Sequence, residues 1–188
     1  MLKSEEGGAM RAENIAAYIQ EATGISDEWK LQKLVYYANA WALVWTGRPL
    51  VSDSFEAWRD GPVSRNLYVA THHSPPPFEV KPLSHNQKRI VDAVLDSYGD
   101  MSKEQLVEQT HKEAPWREAR TGLPAGAPSQ RLLNTDTIAR FYALEATTGR
   151  GPAAPSLAYE PVDDAEVDES IRQVSQQWAE ALARLEHL

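Results

Sequence analysis

The residues that could do chemistry in this 188-residue chain are five histidines, 27 acids and 19 lysines and arginines, with no cysteine. The absence of cysteine removes thiol catalysis, Cys-based zinc sites and disulfides together. His111 is the most pointed candidate. It stands in Thr110-His111-Lys112-Glu113-Ala114-Pro115-Trp116, near the end of a helix, where the dipole favours a charged imidazole. There it could transfer a proton or recognise a partner; the plainer reading is a hydrogen-bonded structural histidine beside Trp116. His72 and His73 are adjacent, and adjacent side chains point different ways, so they do not share a metal. With no ligand spacing elsewhere, neither a metal nor a cofactor is expected. Glu104, Glu108 and Glu113 on one helix could pair for acid–base work but read more simply as a solvated face. Lys33 is either a snorkelling lysine with its stem on Tyr37, or half of an ion pair that orients a partner surface. Neither a G-x-S-x-G elbow, a phosphate loop, a G-x-G-x-x-G turn nor an H-E-x-x-H helix occurs.

Charge limits the partners. The formal net charge is −8 and the pI about 5.1, which argues against broad contact with a phosphate backbone and suits a basic protein partner. Ser102 to Arg120 loosely resembles a helix-turn-helix, but its second segment is stopped by Gly122 and Pro124, too short for a recognition helix. Nucleic acid is therefore disfavoured. The longest apolar run, Ala40 to Trp45, is far short of the roughly 20 residues that cross a bilayer, and the first residues lack a signal-peptide pattern. The expectation is a soluble cytoplasmic chain with no membrane contact.

These side chains need a frame, and the periodicity predicts a mostly α fold: a compact multi-helix bundle around a central aromatic-rich helix over 26–46. Leu31, Leu34, Val35, Ala38, Trp41, Ala42 and Trp45 mark that helix, with Ser26 or Asp27 as cap and Gly47 and Pro49 as stop. A first helix over 12–23 precedes it. Phe55 to Arg59 alternates briefly and Asp60-Gly61-Pro62 ends it, so at most a short strand or extended segment lies near 50–60. Ser64 can open a short helix to about Thr71. Two capping boxes, Ser84/Gln87 and Ser102/Gln105, open two more, and Asn134 or Thr135 opens another. The expected organisation is a flexible lead over 1–11, a helical domain over 12–149, a linker over 150–162 and an amphipathic helix over 163–188.

Three blocks in order carry a resemblance. They are KLQKLVYYA (30–38), FEAWRDGPV (55–63) and EQLVEQTHKEAPW (104–116), with RPL (48–50) and LY (67–68) between them. In sequence and spacing, from about 12 to 145, they resemble the Panacea-domain antitoxins, also described as SocA-like or GepA-like. The resemblance implies a helical, non-enzymatic domain that neutralises a cognate protein toxin encoded by a neighbouring gene. In one relative it implies a protease adaptor that delivers the toxin for degradation, and some members sit on prophages. The family signature falls on Leu31, Lys33, Leu34, Tyr36, Tyr37, Ala57, Trp58, Gly61, Pro62, Thr110, His111 and Trp116, as scaffold or partner-binding residues. A domain serving many toxins should share its frame and vary its contacts. The C-terminal extension therefore supplies a second rank of toxin-contact candidates: Tyr159, Ile171, Val174, Trp178 and Leu182. Homo-oligomers, an enzyme that reverses a toxin's modification through His111, and a transcription regulator remain as alternatives.

Overall fold

The computed structural model describes residues 8–72 and 80–158. The helix expected over 163–188 and the contact candidates Tyr159, Ile171, Val174, Trp178 and Leu182 lie outside the described residues. Seven helices and one hairpin are present among the described residues: α1 Ala12–Thr23, α2 Glu28–Thr46, β1 Phe55–Trp58, β2 Gly61–Ser64, α3 Arg65–His72, α4 His85–Tyr98, α5 Lys103–Lys112, α6 Ala114–Ala119 and α7 Thr135–Thr147. The fold is mostly α, as the periodicity predicts.

The α2 helix is the axis. Asp27 caps it by accepting from the Lys30 amide at 2.8 Å. Its 19 residues make a rod of about 28 Å. Every residue from Leu31 to Leu43 is buried, polar ones included, so the helix has no solvated face. Helices α1, α3, α4, α5 and α7 and strand β2 all pack against it. Both predicted capping boxes form, Ser84 with Gln87 and Ser102 with Gln105. Pro115 does not follow a free end: it sits in the first turn of α6, where its missing N–H costs nothing.

The hairpin pairs Phe55 with Ser64 and Trp58 with Gly61. A third extended piece adds to β1. The Ala57 amide donates to the Arg131 carbonyl at 2.7 Å, and the Leu133 amide to the Phe55 carbonyl at 2.8 Å. The alternation read at Phe55 to Arg59 does not separate core from solvent, because Phe55, Glu56 and Ala57 are all buried.

Two expected flexible stretches carry contacts. Met10 in the lead donates its amide to the Leu50 carbonyl and accepts from the Ser52 amide, both at 2.8 Å. In the expected linker, Pro152 is buried and Leu157 packs on the core. Gly151 explains the close approach: at φ +109°, an added Cβ would lie 2.1 Å from Trp41 Cζ2.

Candidate partner-binding site

The three sequence blocks meet at the Asp60–Pro62 turn. Lys33 is fully buried, 0% exposed, and its Nζ donates to the Pro62 carbonyl at 3.1 Å. One residue earlier, Gln32 Nε2 donates to the Ser64 carbonyl at 3.1 Å, and Gln32 Oε1 accepts from the Ser64 amide at 2.9 Å. These two α2 side chains thus satisfy the outer edge of β2, which has no strand beside it. Proline suits this edge because it has no N–H to leave unpaired. Gly61 is pressed onto the same spot. Its φ is +103°, and an added Cβ would lie 2.6 Å from Lys33 Cε and 2.7 Å from Thr110 Oγ1.

The third block closes the lock from the other side. The His111 ring stacks on Trp116, centroids 4.0 Å apart at 17°, and bonds the Arg59 backbone. Trp116 Nε1 donates to the Trp58 carbonyl at 2.8 Å. The Arg120 guanidinium lies over the Trp116 ring and donates to the Ala57 carbonyl at 2.9 Å and the Ala127 carbonyl at 2.7 Å. Trp116→Phe keeps the ring but removes the donor, and is expected to cost about 1 kcal/mol. The check is the urea midpoint, together with loss of one protected indole N–H resonance.

Below the lock lies a buried polar cluster. Glu113 is 4% exposed and accepts from Tyr142 Oη at 2.6 Å, Tyr37 Oη at 3.1 Å and Gln109 Nε2 at 3.4 Å. Burial pushes its carboxyl up to about 7, against the pull of these donors. Tyr37 stacks on Tyr98 at 4.2 Å, and Tyr36, Tyr37 and Trp41 meet Tyr142 edge-on. Burial lowers the Lys33 amine to about 7, with Asp60 opposing.

Above the lock, half-buried rings gather at the surface. Trp29 meets Trp58, Tyr68 and His72 at 6.5, 6.0 and 5.8 Å, and Tyr68 stacks on His72 at 3.9 Å. Two clefts flank Trp29 and Asp60. One, about 540 Å³, runs along α5 past Val107 and His111. The other, about 430 Å³, lies between Trp58 and the 126–130 loop. Exposed aromatics beside clefts are the residues that anchor protein interfaces.

The signature residues therefore divide. Leu31, Leu34, Tyr36, Tyr37 and Ala57 are core, and Lys33, Gly61, Pro62 and Thr110 form the lock. Only Trp58, His111 and Trp116 reach the surface, each half-buried. Three readings are corrected. Lys33 neither snorkels nor sits in an ion pair, because its amine turns inward to a carbonyl. Glu113 leaves the solvated face, because it ends α5 pointing at Tyr37 and Tyr142, while Glu104 and Glu108 stay exposed. The charged imidazole expected of His111 at the helix end is disfavoured: burial lowers its pKa, against the Arg59 backbone bond and the Asp60 charge. Arg120, part of the helix-turn-helix reading, is buried against β1. Sequence reasoning passed over Gln32, Trp29 and Asp60. Gln32 adjoins Lys33 on a helix with no exposed face, and that was the available signal.

Residues 31–117 match the family described as antitoxin SocA-like, Panacea domain. The chain is 33% identical over 104 residues to antitoxin SocA of Caulobacter vibrioides (strain NA1000 / CB15N), an alignment covering 46% of this chain and 55% of that protein. The chain thus spans about half the length of the curated relative it matches. No solved structure matches it. No helix among the described residues is long and apolar enough to cross a membrane.

Proposed function

We propose that the chain is the antitoxin of a two-gene pair and neutralises its protein toxin by direct binding in the cytoplasm, on the match of residues 31–117 to the SocA-like Panacea domain. The likeness to a protein named an antitoxin carries the reading. The geometry supports it. The signature side chains most able to do chemistry are engaged within the frame: Lys33 on Pro62, Thr110 against Gly61, and His111 between Trp116 and Arg59. What remains at the surface is an aromatic group between two clefts, which suits protein binding better than turnover. The chain is read as non-enzymatic on the same grounds.

The test is co-expression of the tagged chain with its neighbouring reading frame, read by growth and size-exclusion chromatography. A stoichiometric complex with growth rescue is the expected result. Rescue with falling toxin levels and no lasting complex would replace it with delivery to a protease. Rescue at substoichiometric amounts, lost in His111→Ala with the fold intact, would replace it with an enzyme.

A further inference from the structure

The three-stranded arrangement around β1 has two outer edges, and they are finished differently. On the β2 side, Gln32 and Lys33 take up the free Ser64 and Pro62 groups, and nothing more can pair there. On the other side lies the Gln130–Leu133 segment. The Arg131 carbonyl and the Leu133 amide face β1, and Leu132 bridges Glu56 in antiparallel sense. Backbone groups alternate along an extended chain. The amide and carbonyl of Leu132 therefore face away from the sheet, and no partner for them occurs among the described residues. The edge is open: Gln130 and Arg131 are exposed and Leu132 is 59% exposed. Leu132 puts an exposed apolar side chain beside its unpaired backbone groups, while the charge of the neighbouring Arg131 is turned to the Ala119 and Thr121 carbonyls.

This edge is continuous with a cleft. Gln130, Ser129 and Pro128 line the 430 Å³ space whose far wall is Trp29, Trp58 and Val63. It also lies beyond the matched stretch 31–117, where a surface fitted to one partner can differ without disturbing the lock.

Resting on the antitoxin reading above, we infer that the Gln130–Leu132 edge is the toxin-docking surface, taking an extended segment of the toxin as an added strand. The bonding groups of the edge define the occupant: a backbone in β conformation, offering N–H and C=O groups to Leu132. One of its apolar side chains rests on Leu132, and the chain continues into the cleft beside Trp58.

The test uses the full chain and the protein from the neighbouring reading frame. Leu132→Pro removes the outward N–H without touching either bond to β1. Leu132→Lys leaves the backbone whole but places a charge at the edge. Circular dichroism and urea midpoints verify both folds, and Leu144→Lys, a change at a 58% exposed leucine on α7, is the control. Both edge variants are expected to weaken the complex 10-fold or more, and the control less than twofold. Hydrogen exchange at the Leu132 amide is expected to slow at least 10-fold in the wild-type complex. Unchanged affinity in folded edge variants, or unchanged Leu132 exchange, overturns the docking edge and leaves the antitoxin reading standing. If the wild-type chain forms no complex, the antitoxin reading falls and the docking edge with it. If the edge variants instead dissolve a homodimer, the occupant is a second copy, which also overturns the inference.

Discussion

Gly61→Ala is expected to destabilise the chain by about 3–5 kcal/mol, a large part of the total stability of a domain this size. Two costs combine. The backbone at φ +103° is one that residues with a Cβ resist, worth about 1–3 kcal/mol. The added methyl also enters space held by Lys33 Cε at 2.6 Å and Thr110 Oγ1 at 2.7 Å, and overpacking costs a similar amount. The two can be separated. Gly122→Ala meets positive φ with open space around it, so it should show the strain alone. In the Gly61→Ala background, Thr110→Ala removes one of the two overlaps and should recover about 1 kcal/mol, a coupling that independent sites would not show. Urea unfolding of these three variants and of Thr110→Ala alone measures this. An effect of Gly61→Ala no larger than that of Gly122→Ala would mean that the turn does not lock the blocks together.

That lock explains what could and could not be read from the sequence. The helices were legible because their signals are local. Ser84/Gln87 and Ser102/Gln105 close on themselves within one turn, and α2 shows its stripe in its own residues. The end of β1 was legible from Asp60-Gly61-Pro62, but the hairpin was not, because Gly61 and Pro62, read as a break, open β2. The Arg131–Leu133 bridge was not legible either, because its pairing with Phe55 and Ala57 spans more than 70 residues and its three residues carry no period. The fate of Lys33 was hidden for the same reason. On a helix that is buried all round, spacing cannot distinguish a lysine that reaches water from one that turns to a strand edge. Glu113 looked like its neighbours Glu104 and Glu108. Only the break into α6 and the arrival of Tyr142 from α7 place its carboxylate in the core. The candidate binding surface was the least legible part. Trp29, Asp60 and Leu132 come from three distant stretches and share nothing in sequence.

The two buried ionisable groups should give the chain an unusual stability profile, with a minimum near pH 7. Glu113 is raised from 4.5 to about 7. Below pH 4.5 it is protonated in both states and costs nothing. Between 4.5 and 7 the folded state holds a proton that the unfolded state has released, so stability falls as pH rises, by about 3 kcal/mol at 1.36 kcal/mol per unit. Above 7 the loss is complete and constant. Lys33 is lowered from 10.5 to about 7. Below pH 7 the ammonium is present in both states, and its full burial penalty applies. Between 7 and 10.5 only the unfolded state keeps the proton, so stability rises with pH, by up to roughly 5 kcal/mol. The climb is cut short near pH 10. There the unfolded tyrosines ionise while burial keeps Tyr36, Tyr37 and Tyr142 protonated, which lowers stability again.

Urea unfolding at half-unit steps from pH 5 to 9.5 should therefore trace a V in wild type. Each arm should vanish with its own residue. Glu113→Gln keeps an acceptor for Tyr142 and flattens the acid arm alone. Lys33→Met keeps the stem and flattens the alkaline arm alone. At pH 7 Lys33→Met should be close to neutral: losing a buried ammonium helps, while leaving the Pro62 carbonyl unsatisfied costs about 1–3 kcal/mol. By pH 9 the same variant should be clearly less stable than wild type, because by then the wild-type amine is neutral and still bonded. A profile that rises through pH 5–7, or an alkaline arm that survives Lys33→Met, would show that these two groups do not govern the stability of the lock.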